Sequence, residues 1–163
     1  MPTKDKAYNK KILMVCLGNI CRSPVAEGIL RNLLEKNGIE DVLVDSAGTS
    51  DFHIGEAPHH ESTKNAKKHG IDITPLRGRQ FVYEDFEKFD SIFAMDKSNY
   101  DNILKLAKTK NDKNKVSLIL NKTYPNTNTS VPDPYFGGLD GFETVFQELH
   151  KACEVIVEEI KTK

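Results

Sequence analysis

Two periods of hydrophobic recurrence divide the chain. Lys11-Ile12-Leu13-Met14-Val15-Cys16 is an unbroken apolar run ending at a glycine-containing turn, which predicts a buried strand. Ser23-Pro24 follows, pairing a capping hydroxyl with a proline preset for a first helical turn. Ala26, Ile29, Leu30, Leu33 and Leu34 then recur at helical spacing until Gly38 interrupts them. A second strand is predicted over 42–46, and a polar helix over 58–69 with Gly70 behind it. A third strand is expected over 91–95. Asp96 caps a helix that carries Tyr100, Ile103, Leu104 and Ala107 on one face. A fourth strand over 116–120 leads into a polar loop rich in Asn, Thr and Pro, residues 121–134. The last helix shows the clearest stripe, from Phe142 through Val145, Phe146, Leu149, Cys153, Ile156 and Val157 to Ile160. Asp140 and Glu143 stand at capping-box spacing before it.

Strands alternating with helices predict an α/β fold. The expected architecture is a single domain, with a four-stranded parallel sheet and helices on both faces. Residues 1–10 read as a flexible N-terminal arm and residues 11–163 as the domain. In such sheets the active crevice lies beyond the carboxyl ends of the strands, which selects the loops after Cys16, Ser46, Met95 and Leu120. With 163 residues the chain suits one domain, and 29% charged against 38% hydrophobic residues is ordinary for a globular protein. The net charge of -1 leaves no strong field to attract nucleic acid. No apolar run approaches the roughly 20 residues a membrane span needs, and no secretory leader is readable. Three cysteines suggest free thiols in a reducing cytoplasm rather than a disulfide scaffold.

The densest chemistry follows the first predicted strand: Cys16-Leu17-Gly18-Asn19-Ile20-Cys21-Arg22-Ser23-Pro24. A strand, a tight turn and a helix N-terminus converge backbone N–H groups and a dipole on one point, forming an anion cradle and hence a phosphate loop. Arg22 can clamp two phosphate oxygens at once. A thiol at Cys16, beside a helix N-terminus and an arginine, is held toward its nucleophilic thiolate. Chance alone yields Cys-x5-Arg-Ser/Thr somewhere in this composition about 1% of the time, and a dinucleotide-binding turn fits poorly because Gly18 stands alone. In Val131-Pro132-Asp133-Pro134-Tyr135-Phe136, two prolines restrict the backbone around Asp133. That segment reads either as a plain Asp-Pro turn with two aromatics over the core or, beside the Cys16 loop, as a general acid with an aromatic wall at Tyr135.

These residues resemble the low-molecular-weight protein tyrosine phosphatases. The segment from Cys16 to Pro24 with Ala26-Glu27 is similar to that family's phosphate loop, and Asp133-Pro134-Tyr135 to its general-acid loop. Further likeness lies at Ser46-Ala47-Gly48-Thr49, Phe52-His53-x-Gly55, His69-Gly70-Ile71, Arg79-Gln80, and from Phe89-Asp90 through Met95-Asp96 to Asn99. The resemblance implies phosphotyrosine-containing proteins or peptides as substrates, with phosphate, vanadate or arsenate as competing anions. It assigns Cys16 as nucleophile through a phosphocysteine, Arg22 as clamp and Asp133 as acid and then base. Leu17, Gly18, Asn19, Ile20, Cys21 and Ser23 make the loop, with Ser23 donating to the Cys16 sulfur. Asn19, Ser46 and His69 support it, and Phe52 and Tyr135 form the rim. Cys21 is implied as a redox partner of Cys16. A monomer needing no metal or other cofactor is expected. Ile20 stands where arginine phosphatases of this fold tend to carry threonine, which implies phosphotyrosine. The chain departs from the family pattern at Phe52, often Trp; at His59-His60-Glu61, often an Asp-x-Arg element; and at Phe136, often Tyr.

Competing readings are weaker. A thiol-linked arsenate reductase on this scaffold needs further cysteines after the second helix, and residues 76–89 contain none. A noncatalytic phosphate-binding module would lack the nucleophile or the acid. His53, His59, His60 and His69 match no zinc spacing. His59 and His60 read as solvated, and Cys153 as a small core residue. The lysines at 105, 108, 110, 113 and 115, interrupted by Asp112, read as a solvated face.

Overall fold

The pleat of the first strand decides which side chain enters which layer. A computed structural model of the protein describes residues 7–134 and 139–162, and in it β1 spans Lys10–Cys16. Ile12, Met14 and Cys16 face one layer while Leu13 and Val15 face the other, as strand alternation requires. None of these five is more than 3% exposed. A strand covered on both sides has no reason to alternate with polar residues, hence the continuous apolar run.

The remaining elements are α1 (Arg22–Lys36), β2 (Val42–Gly48), α2 (His60–Lys68), α3 (Glu84–Lys88), β3 (Ser91–Ala94), α4 (Lys97–Leu106), α5 (Lys110–Asn114), β4 (Val116–Leu118) and α6 (Leu139–Lys161). The strands lie in the order β2-β1-β3-β4, all parallel. One core packs Ile12, Met14 and Cys16 against Val25, Ile29 and Leu30 of α1 and Leu149, Cys153 and Ile156 of α6. The other packs Leu13 and Val15 against Phe81, Phe86, Phe89 and Ile103, beneath α3 and α4. The expected α/β sheet with helices on both faces is the observed architecture.

Several boundaries differ from the sequence reading, each for a local reason. The chain is already tied at Asn9, whose N–H donates to Asp41 O at 2.8 Å, and β1 starts at Lys10 rather than Lys11. Helix α1 starts at Arg22, so Ser23 is inside the first turn and does not cap it; Cys21 occupies the capping position without a side-chain bond. The Ser23 hydroxyl is engaged instead with Cys16. His59, read as solvated, is half-buried and caps α2, accepting from Glu61 N at 3.1 Å. Burial and the neighbouring His60 lower its pKa. Strand β4 stops at Leu118 because Ile119–Asn121 winds into a 3-10 turn, closed by Tyr124 N donating to Leu120 O at 2.8 Å. Helix α6 begins before Asp140, and Glu143 accepts from His69 across 2.8 Å rather than forming a capping box. Helices α3 and α5, five residues each, show no periodicity to read. In the lysine-rich segment, Thr109 and Asp112 form a capping box around α5. The Asp112 carboxylate, 6% exposed, also accepts from Tyr83 OH.

Candidate active site

The strand order reverses direction at β1: the chain crosses to β2 on one side and later to β3 on the other. Connections leaving the carboxyl ends of β1 and β3 therefore diverge and open a crevice. Cys16, the last residue of β1, lies at its floor. The loop from Leu17 to Cys21 hangs above it and is tied to the end of β2 by Thr49 N to Cys16 O and Ser50 N to Leu17 O, both 2.9 Å. Gly48 permits that contact, because a Cβ there would lie 2.7 Å from Leu17 O. The crevice holds a cavity of about 140 Å³. Its lining comes from Cys16, Leu17, Gly18, Ile20, Cys21 and Arg22 of the loop, from Phe52 and His53, and from Asp133 with Pro134. Tyr135, the second expected rim residue, lies outside the described residues.

The Cys16 sulfur has two close polar neighbours. The Asn19 N–H donates to it at 3.3 Å and the Ser23 hydroxyl lies 3.0 Å away. Asn19 is buried at φ 59°, a left-handed conformation that asparagine tolerates better than most residues. Its Nδ2 donates to Ser23 Oγ at 2.8 Å and to Ser46 Oγ at 2.9 Å. Ser46 Oγ in turn donates to Glu27 Oε1 at 2.6 Å. The expected supporting set thus assembles around Asn19 and Ser46 but not around His69. The His69 ring stacks on Phe146 of α6 with centroids 3.9 Å apart and pairs with Glu143.

The Arg22 guanidinium, 8% exposed as a residue, is held from behind: Nη1 donates to Asp96 Oδ2 at 2.9 Å and to Val131 O at 3.1 Å. Val131 N donates back to Met95 O at 2.8 Å. The loop carrying Asp133 is thereby laced to the end of β3 and to the arginine. Asp96 does two jobs, since its other oxygen caps α4 by accepting from Asn99 N at 2.8 Å. Sequence reasoning saw only the cap. Glu27, Arg79 and His53 fall in segments that carry the family resemblance, but the sequence assigns them no role. Asp96 sits at the carboxyl end of a predicted strand, which is a usable signal. For Glu27 and Arg79 the only signal is their place within Ala26-Glu27 and Arg79-Gln80.

Behind the loop the Glu27 carboxyl is strongly perturbed: its pKa is raised from 4.5 to about 7. Burial is the main cause, opposed by Arg31 and by the Ser46 hydrogen bond. The Arg31 guanidinium reaches its Oε2 at 2.6 Å. Cys153 is fully buried in the core, and burial pushes its thiol far up. Among the described residues no cluster of three or more His, Cys, Asp or Glu could hold a metal ion, and no helix is long and apolar enough to cross a membrane.

Comparison with known proteins converges on one family. The sequence profile described as low molecular weight phosphotyrosine protein phosphatase matches residues 11–163. A low molecular weight phosphotyrosine protein phosphatase of Dictyostelium discoideum is 40% identical, with 97% of each chain covered. Among solved structures, a protein tyrosine phosphatase from Entamoeba histolytica with Hepes in its active site superposes with a TM-score of 0.87 at 36% identity, covering 94% of this chain and 98% of that one. A Drosophila arginine phosphatase superposes at 0.85 with 35% identity, covering 93% and 98%. The crevice at the end of β1 thus belongs to a hydrolase of phosphomonoesters, and the chain is a member of the low molecular weight phosphotyrosine protein phosphatase family.

Proposed function

We propose that this enzyme hydrolyses phosphotyrosine in proteins, and small aryl phosphates, in two displacements at phosphorus. In the first, the Cys16 sulfur attacks phosphorus while the bond to the phenolic oxygen breaks. Asp133, as a carboxylic acid, gives that oxygen its proton. In the second, the Asp133 carboxylate takes a proton from water, whose oxygen attacks the phosphocysteine. The P–S bond breaks, and inorganic phosphate and the thiolate are released. Arg22 binds the equatorial oxygens in both steps, and the loop N–H groups share that charge. Phosphate, vanadate and arsenate compete for the same cradle. The observation that carries this reading is that Cys16, Arg22 and Asp133 line a single small cavity.

Ile20, an aliphatic residue on the cavity wall, favours an aromatic ester over a guanidinium phosphate. A disulfide-relaying reductase is disfavoured because the third cysteine, Cys153, is in the core and inert. Three free thiols suit a reducing cytoplasm. A monomer is the natural state of a surface whose exposed large apolar residues are few among the described ones, with Leu17 and Phe52 belonging to the cavity mouth. No cofactor enters the scheme. The test is turnover of p-nitrophenyl phosphate and of matched phosphotyrosine, phosphoarginine and phosphoserine peptides. Cys16→Ser is expected to abolish turnover while vanadate binding persists, and wild type to favour the phosphotyrosine peptide. Undiminished turnover by that variant, or a preference for phosphoarginine, would overturn the assignment.

A further inference from the structure

The Asn19 amide can occupy two orientations related by a half-turn, alike in shape but opposite in hydrogen-bond polarity. In the observed one both Nδ2 hydrogens are used, toward Ser23 Oγ and Ser46 Oγ. Ser46 can accept because its own proton goes to Glu27 Oε1. Ser23, having accepted from Asn19, keeps its proton for the Cys16 sulfur at 3.0 Å; Ala47 O, at 3.4 Å, is the weaker alternative acceptor. A half-turn of the amide would set Oδ1 against Ser23 and draw that proton away from the sulfur. What forbids the half-turn is a donor on the far side. Arg79 N–H meets Asn19 Oδ1 at 3.0 Å, and an NH2 group in that place would face another N–H.

Arg79 holds that position by both ends. Its carbonyl accepts from Gly48 N at 2.8 Å. Its guanidinium grips Asp85 through two bonds of 3.1 Å and reaches Asp45 through Nε at 3.2 Å. Asp85 is 4% exposed and also accepts from Val82 N at 2.9 Å, so the anchor is itself fixed. A planar bidentate fork constrains the residue that carries it far more than a point charge would. Arg79 does not line the cavity. We propose that Arg79, clamped by Asp85 and Asp45, is a positioning residue that locks the Asn19 amide so that the Ser23 hydroxyl donates to the Cys16 sulfur. This inference rests on Cys16 being the nucleophile proposed above.

Charge and position predict opposite effects, which makes the idea testable. Removing the negative charge of Asp85 favours a thiolate at Cys16 by Coulomb's law, whereas losing the clamp works against one. The experiment measures iodoacetate alkylation of Cys16 at pH 6 and pH 9, located by tandem mass spectrometry, in wild type, Asp85→Asn, Arg79→Ala and Arg79→Lys. Asp85→Asn and Arg79→Ala are both expected to slow alkylation about tenfold at pH 6 and less than twofold at pH 9. Faster or unchanged alkylation of Asp85→Asn at pH 6 overturns the clamp. Should circular dichroism show that Asp85→Asn does not fold, Arg79→Lys decides, because it keeps the cation and loses the fork: slowed alkylation at pH 6 supports the proposal and an unchanged rate overturns it. Wild-type Cys16 reacting at pH 6 no faster than in the denatured chain would sink the nucleophile assignment itself, and the clamp with it.

Discussion

Asp133 stands between Pro132 and Pro134 and lines the same cavity as Cys16, and its proposed role can be tested by how much the leaving group needs a proton. A phenolate of ordinary basicity departs slowly without one, while p-nitrophenolate departs readily. Asp133→Ala is therefore expected to lower kcat for phenyl phosphate by about 10²–10³-fold and for p-nitrophenyl phosphate by much less. Rates for a series of substituted phenyl phosphates check this, and equal losses across the series would remove the acid from the scheme. At this scale much was readable, because Cys16, Asn19, Arg22 and Ser23 lie in one short segment whose composition betrays an anion cradle. The distant partners that Ser46, Asn19 and Arg22 take up were not. Ser46 is 19 positions from Glu27, Arg79 is 60 from Asn19, and Asp96 is 74 from Arg22. Such pairings are made by the sheet, and nothing local encodes them. His69 failed for the same reason: its place before Gly70 says that a helix ends, not which layer the ring enters, and the ring packs on α6.

The elements that carry their own periodicity were legible, namely β1, β2, β3, α1, α4 and α6. Those too short to show a period were not, as with the 3-10 turn, closed by bonds of Lys122 N to Ile119 O and Tyr124 N to Leu120 O, that cuts β4 short. Close approach between elements is harder still to read, and Gly48 shows its consequence. A Cβ at this position would stand 2.7 Å from Leu17 O, 3.0 Å from Gly18 C and 3.1 Å from Asn19 N, all backbone atoms of the phosphate loop. None can swing aside as a side chain could. Gly48→Ala is expected to push the loop off β2, costing about 1–3 kcal/mol of stability and at least about tenfold in kcat/KM for p-nitrophenyl phosphate. Urea midpoints and steady-state kinetics measure the two. A fully active variant of wild-type stability would mean the loop has slack that the observed contacts do not suggest.

For the whole molecule, the chain of hydrogen bonds that leads from Cys16 through Ser23, Asn19 and Ser46 ends on a carboxyl group that folding buries. Glu27 is 1% exposed and its pKa rises from 4.5 to about 7. Arg31 opposes the rise, yet that side chain is 42% exposed and solvent weakens its pull. Because the folded-state value lies above the unfolded one, the stability contributed by this group is fully present below pH 4.5. It is lost as pH climbs through about 7, since between the two values only the folded chain keeps the proton. A rise of this size corresponds to about 3 kcal/mol. Carboxylates held below their ordinary range act with the opposite sign but at lower pH. Glu143, lowered by its bond to His69, and Asp72, lowered by Thr74, lose stability only as pH falls toward the acid end. Comparison with Glu27→Gln isolates the one group, because glutamine fills the same space and its amide oxygen can still accept from Ser46. Between pH 4 and pH 8 the wild-type unfolding free energy is expected to fall by about 3 kcal/mol relative to that variant, measured by urea denaturation at each pH. Parallel curves would mean that Glu27 stays ionised in the folded protein throughout. In that case Arg31 and Ser46 together would outweigh burial, and the far end of the relay would carry a fixed negative charge at every pH where the enzyme works.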